Sequence, residues 1–328
     1  MRHRLFLFAI PIIIGVLLVL VPAFQSPTWI YIGTTFFISA IFVMSFDLLG
    51  GYTGLYPFGH AAFFAAGSYT TALLSLHGVT QNVWLIIPIS IFVAALLAGI
   101  YGLIALRTSG MYFLLITFAL GTLTYALVHT WRSLTKGDWG IAGIPRPEFA
   151  ISSINFYYFA FGIFVICYLL LYFLTKSSFG RALVGIRENE LRMRTLGHNT
   201  WVYKYVAFII AGAFAGVAGF LYASYSRHVG PSCASVQQSM MPMLMVMLGG
   251  PGTLLGGVIG AAIITLLEHF LGLYIMNRWP LILGVIFIAF AMYSRGGVGN
   301  YLLHIWTKVE ERYGTVNGRG PIEKLRGS

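Results

Sequence analysis

The sequence predicts an all-α integral membrane protein, a polytopic helical bundle of about ten segments, two of them broken by glycine and proline. Three observations lead there. Apolar residues make up 58% of the 328 and charged residues only 9%, against about a quarter charged in an average soluble domain. Apolar runs of the roughly 20 residues needed to cross a bilayer recur along the whole chain. Glycine and proline, rather than charge, interrupt two of those runs. A water-soluble fold is thereby excluded, and no sizeable soluble domain fits beside the bundle.

In chain order the runs fall at residues 5–24, 29–49, 53–76, 84–106, 110–131, 156–175, 204–225, 237–249, 253–272 and 280–294. The first follows Arg2 and Arg4 and ends in Val21-Pro22-Ala23-Phe24-Gln25, a poor small-residue cleavage site, so it is expected to be a retained helix and not a secretion signal. The third opens with Gly50-Gly51-Tyr52-Thr53-Gly54-Leu55-Tyr56-Pro57-Phe58-Gly59-His60, and the eighth is short and runs into Leu248-Gly249-Gly250-Pro251-Gly252. These two are expected to be half-helices or re-entrant turns.

The formal charge of +11 would suggest a nucleic-acid partner in a soluble protein. In a membrane protein its placement matters instead. With the N-terminus inside and every run crossing, all but five of the 20 Lys and Arg lie on the inside, the exceptions being Arg132, Lys136, Arg146, Arg227 and Arg278. That asymmetry obeys the positive-inside rule and puts both termini in the cytoplasm. The expected organisation is a membrane domain over 1–294, with an outer loop at 132–155, an inner loop at 176–203, and a polar cytoplasmic tail at 295–328. The outer loop holds Gly137, Gly140, Gly143, Pro145 and Pro147 and is expected to form an irregular cap. In the tail, residues 308–313 are helix-forming and the last residues read as disordered.

The inner loop has helix-forming composition between Arg181 and Leu196. Leu183 and Ile186 lie three apart with Arg187 and Glu190 beside them, the pattern of a short amphipathic helix at the cytoplasmic surface. Two readings are equally open from the residues: a basic loop held on anionic lipid, and a helix that docks on a protein.

A Gly/Pro break at membrane depth frees backbone polar groups and so points to a cavity, with close helix packing as the competing explanation. The cavity reading is favoured for residues 50–60 and 248–257. Packing is favoured for Gly212, Gly216 and Gly219, which are spaced four and three apart. Asp47, Glu268 and His269 lie near segment ends, where capping or solvation explains them, and His60 is expected to hydrogen-bond freed backbone. Trp29, Trp84, Trp131, Trp201 and Trp279 sit at segment ends as interfacial anchors. Cys167 and Cys233 offer no basis for pairing and receive no role.

No Gly-x-x-x-x-Gly-Lys-Ser/Thr occurs, so any use of ATP falls to partner subunits. No His-Glu-x-x-His helix or catalytic carboxylate pair occurs either, which argues against an intramembrane enzyme, and no metal site or cofactor is expected. An ion-coupled secondary transporter would call for carboxylates near the bilayer centre, whereas Asp47 and Glu268 both look peripheral. A structural assembly subunit is left open by the inner loop alone.

Several ordered motifs carry a family resemblance. They are Ser178-Phe179-Gly180-Arg181-Ala182-Leu183 with Ile186-Arg187-Glu188-Asn189-Glu190 and Leu196-Gly197; Gly54 with Phe58-Gly59-His60-Ala61-Ala62-Phe63-Phe64, Gly67 and Tyr69; and Leu248-Gly249-Gly250 with Gly252-Thr253 and Gly256. Leu106-Arg107-Thr108-Ser109-Gly110-Met111-Tyr112-Phe113 with Thr117, and Leu134-Thr135-Lys136-Gly137 with Gly140 and Gly143-Ile144-Pro145, add to them. Over residues 50–260 the chain resembles the LivM-type permease subunits of branched-chain amino acid ABC transporters. It departs from them at Tyr56 and Pro57, where leucine and serine are common, and at Leu191-Arg192-Met193-Arg194, where small residues are usual.

The resemblance implies that the inner loop is a coupling helix seated in an ATPase, with Gly180, Arg181, Ile186, Arg187, Glu188, Asn189, Glu190 and Gly197 as its residues. Joined to the cavity reading, it makes Gly54, Gly59, His60, Thr117, Gly249, Gly250 and Gly252 the candidate translocation path. It further implies a bacterial inner-membrane location, a second, LivH-like permease subunit, two ABC ATPase subunits, a periplasmic substrate-binding protein and surrounding membrane lipid. No nucleic-acid partner is implied. Branched-chain amino acids are the expected solute, with urea, short amides and other small organic solutes as the alternative.

Overall fold

The computed structural model describes residues 26–76, 82–274 and 284–285. The expected first segment, all of the last but residues 284–285, Arg278, Trp279 and the tail lie outside the described residues.

Helix α1, Pro27–Asp47, starts on a proline, whose missing N–H costs nothing in a first turn. It runs on into one π-helical stretch, Leu48–Thr53, which stops at Gly54 in the left-handed region with φ 75°. The chain is then non-helical until α2, Ala61–Leu76. The run expected over 53–76 therefore yields a helix only in its second part, because Gly54 turns the backbone and Pro57 has no N–H to continue a ladder.

Next come α3, Val83–Ala105, capped by Asn82, which accepts from the Trp84 N–H at 3.1 Å, and α4, Met111–Thr130. The outer-loop region holds a short α5, Arg132–Thr135, two 3-10 turns, Gly137–Trp139 and Glu148–Ala150, and a two-residue strand β1, Ile141–Ala142. Then follow α6, Ser153–Lys176, α7, Ser178–Glu188, α8, Glu190–Thr195, and α9, Thr200–Ser226. Strand β2, His228–Val229, pairs antiparallel with β1 and pins the irregular loop across that end of the bundle. A 3-10 turn, Pro231–Ala234, leads into α10, Val236–Gly249, and α11, Leu254–Tyr274, completes the described chain.

Among the described residues six helices are long and apolar enough to cross a membrane: α1 with its π extension, α3, α4, α6, α9 and α11. At 1.5 Å per residue, α2 and α10 are about 24 and 21 Å long, short of the ~30 Å hydrocarbon thickness. Both short helices border irregular chain.

The bundle is built around α1, whose membrane-length window is 83% buried. It packs against α6, α9, α10 and α11, and Phe37 at its centre meets Tyr157, Phe161 and Phe164 with ring centroids 5.1–5.5 Å apart. By contrast α3, α4 and α6 turn large apolar side chains outward, among them Phe92, Leu96, Tyr112, Leu115 and Phe173. Such a surface is stable only against lipid or another subunit. Trp29, Trp84, Trp131 and Trp201 are exposed at helix ends, where interfacial anchors belong.

The α2–α3–α9 contact depends on small residues. A Cβ on Gly67 would run into the Gly216 backbone, one on Gly212 into Ala98, and one on Gly219 into the Phe64 carbonyl. With the backbones this close, the Ser68 hydroxyl reaches the Gly219 carbonyl at 3.0 Å and Thr71 meets Ser90 at 3.0 Å. Dispersion and interhelical hydrogen bonds, not hydrophobicity, drive association in lipid, so losing this approach removes the contact's main support. Replacement Gly67→Val should lower the stability of the detergent-purified protein by about 1–3 kcal/mol, the usual cost of overpacking. Gly162→Ala, where nothing lies within 4 Å of the added Cβ, should leave the thermal melting curve unchanged.

Candidate functional site

The motifs singled out in the sequence gather into two junctions on the broken segment and one loop at the α7–α8 end. At the first junction the π extension of α1 meets the turn between α10 and α11. Asp47 is fully buried, and its Oδ1 accepts from the Gly252 N–H at 2.9 Å, joining residues 205 apart in sequence. From the other side the Arg187 guanidinium on α7 donates to the Gly51 carbonyl. Glycine is required here by crowding: a Cβ on Gly51 would collide with the Asp47 carboxylate and the Gly252 nitrogen. Gly252, at φ 81°, would bring its Cβ to 2.6 Å from Arg187 Nη1. Gly54 faces the Arg187 side chain, and Gly249 and Gly250 shape the turn, in which the Thr253 hydroxyl donates to the Gly250 carbonyl at 3.0 Å.

The second junction satisfies the backbone of the break itself. The Phe58 N–H donates to Thr117 Oγ1 at 3.1 Å, and the Ala61 N–H to Ser239 Oγ at 3.0 Å. Gly59 lies so close to α4 that a Cβ would strike the Thr117 carbonyl. His60 is fully buried, with Phe42 stacked on its ring and Phe46 and Phe63 edge-on to it. Its Nε2 lies 2.8 Å from Ser45 Oγ, whose own proton goes to the Phe42 carbonyl at 2.6 Å. With that proton committed, Nε2 is the donor and the imidazole is the Nε2–H tautomer. Gly59, His60 and Thr117 thus sit in packed protein, and His60 bonds a side chain where freed backbone was expected.

Open space lies at the other end. A recess of about 640 Å³ is lined by Thr122 and Tyr125 of α4, Asp138, His228, Ser232 and the Ser235-Val236-Gln237 start of α10. It exists because α10 begins only at Val236, leaving the 3-10 turn Pro231–Ala234 to fill what a full-length helix would occupy. In the sequence this stretch lies between the apolar runs at 204–225 and 237–249. The signal was the run of small and polar residues Ser232-Cys233-Ala234-Ser235 ahead of an apolar helix.

The inner loop is two helices, broken at Asn189, whose side chain caps α8 by accepting from the Arg192 N–H at 2.9 Å. Leu183 and Ile186 of α7 are buried against the protein's own bundle. Gly180 permits this seating, since a Cβ there would hit the Thr175 backbone, and Arg181 donates to the Lys176 carbonyl at 2.8 Å. Glu190 is engaged internally: Oε1 accepts from Arg194 at 2.7 Å and from the Thr200 hydroxyl at 3.0 Å, while Oε2 pairs with Lys204 at 2.7 Å. Arg181, Glu188, Asn189 and Gly197 are exposed, as are Leu191 and Leu196.

Burial pushes the Glu190 carboxyl up, but the bonds from Lys204, Thr200 and Arg194 outweigh it and hold the group below its ordinary value. A depressed carboxyl stabilises the fold above its unfolded value, and that contribution is lost as pH falls through the lowered folded-state value. Hydrogen-exchange protection of residues 190–200, taken relative to the intrinsic rate at each pH, should therefore fall on acidification through the carboxylate range. In Glu190→Gln that protection should already be low at pH 7 and change little with acid.

A sequence model of the family described as branched-chain amino acid transport system / permease component matches residues 28–292. The high-affinity branched-chain amino acid transport system permease protein LivM of Escherichia coli (strain K12) is 29% identical over 290 residues, 80% of this chain and 67% of the relative. Its counterpart in Salmonella typhimurium is 28% identical over the same shares. The autoinducer 2 import system permease protein LsrC of Salmonella typhimurium is 26% identical over 232 residues, 66% of this chain and 64% of the relative. No solved structure matches the chain. The family match spans both junctions, the α7–α8 loop and the recess, and the chain belongs to the family of branched-chain amino acid transport system permease components.

Proposed function

We propose that this chain is the membrane-spanning permease subunit of an ATP-binding-cassette importer that passes branched-chain amino acids across the bacterial inner membrane. The observation that carries the reading is the family match over residues 28–292, together with two LivM relatives aligned over 80% of the chain. An outward-facing apolar surface on α3, α4 and α6 is consistent with a subunit that meets lipid and a second, related permease. The outer recess, with hydroxyl, carboxylate, imidazole and amide groups beside Tyr125 and Val236, suits a small solute handed over by a periplasmic binding protein.

In this reading about ten segments cross or enter the membrane, α2 and α10 are half-helices, and the α7–α8 end faces the cytoplasm, where two ATPase subunits bind. ATP is consumed by those subunits and no cofactor belongs to this chain. Loop residues Arg181, Glu188, Asn189 and Gly197 are the ones presented for docking, with Leu191 and Leu196 as an apolar pair beside them. Arg187, Glu190, Gly180 and Ile186 contribute by holding the loop in place. The LsrC relative, named for autoinducer 2 import, favours a second reading in which the same transporter class takes another small organic solute. Urea and short amides belong to that reading.

A strain lacking this gene should lose uptake of labelled leucine and regain it with a restored copy; lost urea uptake with unchanged leucine uptake would move the substrate and keep the class. Uptake that survives ATP depletion while the ion gradient is held would point to a secondary transporter and overturn the reading. For the loop, the double charge reversal Arg181→Glu with Glu188→Lys should reduce uptake by about tenfold or more, as expected when rim charges of a docking surface are made repulsive. The protein should remain in the membrane at its usual amount, read by immunoblot of membrane fractions.

A further inference from the structure

We propose that Asp47 and Arg187 form a linkage that ties helix α7 to both glycine-rich turns, so that a displacement of α7 is passed into the membrane segments through Gly51 and Gly252. The inference rests on the permease reading and adds to it the residues that carry movement from the loop to the bundle.

The geometry has three parts. First, Gly51 lies in the last turn of a helix, where carbonyls have no intrahelical partner, and the guanidinium of Arg187 supplies one. Second, the Gly252 N–H lies ahead of α11, where amide protons are likewise unpaired, and the carboxylate of Asp47 accepts it. Third, the two turns touch each other, since neither Gly51 nor Gly252 has room for a Cβ that would not collide with the other's backbone or with the two charged side chains. Charge-assisted bonds are the strong kind; here the Asp47 end is fully buried, while Arg187 keeps exposed surface beside its bond to Gly51.

The Arg187 guanidinium is therefore engaged on the Gly51 carbonyl, although the residue keeps exposed surface. Its helix is fixed to the bundle by Leu183 and Ile186 on one side, and its guanidinium reaches the break on the other. Two segments far apart in sequence, the end of α1 and the start of α11, are held by one side chain of α7 and one of α1. A shift of α7 pulls on Gly51, and Gly51 cannot move without Gly252. Asp47 and Arg187 are positioning residues: neither needs to touch the solute.

The test is uptake per ATP hydrolysed, measured on the complete transporter in proteoliposomes for Asp47→Ala, Arg187→Ala, their double variant and Arg187→Lys. Each alanine should lower that ratio by about tenfold, within the range by which residues of a coupling network act. The double should fall no lower than the deeper single, because the two act as one unit, and Arg187→Lys should recover most of the ratio. A structural role alone would lower the amount assembled and leave the ratio of the remaining complexes unchanged. Ratios that stay at the wild-type value, or single losses that multiply in the double, overturn the linkage.

A second measurement does not depend on transport. A nitroxide at Glu188→Cys in the isolated full chain should gain mobility when Asp47→Ala or Arg187→Ala is added, and unchanged mobility in both also overturns the proposal. A wild-type complex that shows no ATP-dependent uptake, with the nitroxide responding as expected, would sink the permease reading and leave the linkage standing.

Discussion

Backbone polar groups inside an apolar bundle must find partners within the protein, and the structure is organised around one segment where a helix does not supply them. Between Gly54 and Ala61 the chain is non-helical, with Leu55 closing back on the Leu49 carbonyl and the following amides left to side chains. Thr117 of α4 takes the Phe58 N–H and Ser239 of α10 takes the Ala61 N–H. Each unpaired group in such a setting would cost several kcal/mol, so these contacts fix where α4 and α10 sit. The break is not a gap in the fold. It is the place where four helices are tied together.

The same economy explains why the two ends of the bundle differ. At one end the short α10 is preceded by a 3-10 turn, and a recess of mixed polar and apolar lining lies between that turn, α4 and the β2 strand. At the other end two glycine turns are packed so tightly that no side chain fits between them, and charged groups sit directly on backbone. The bundle thus has an open end and a tightly packed, charged end.

The α7–α8 loop shows how tertiary placement reassigns chemistry. Glu190 and Arg187 belong to a motif whose resemblance implied docking, yet Glu190 is saturated by Arg194, Thr200 and Lys204, and Arg187 reaches Gly51. Arg181, Glu188, Asn189, Leu191, Leu196 and Gly197 are among the exposed residues of the loop, and Arg187 keeps exposed surface while it bonds Gly51. Leu191 lies in the stretch where the chain departs from its family pattern, whereas Leu196 belongs to the matching Leu196-Gly197.

Composition and run length alone determined the class of fold: a chain with 9% charged residues cannot solvate a globular surface, and only helices satisfy their own backbone across lipid. Period and turn chemistry likewise located most helices, the loop at 176–203 and the small-residue packing of Gly212, Gly216 and Gly219, because these are local properties. The start of α2 was misplaced because Thr53 and the residues after it are as apolar as a helix, and only Gly54 and Pro57 mark the turn. The partners of Asp47, His60, Thr117 and Arg187 could not be read from the chain, since each lies on another element: Gly252 is 205 residues from Asp47, Gly51 is 136 from Arg187, and Ser239 is 178 from Ala61. Sequence spacing carries information over a few turns of helix, whereas contacts across a bundle depend on how the helices cross, and that was decided by the tertiary structure.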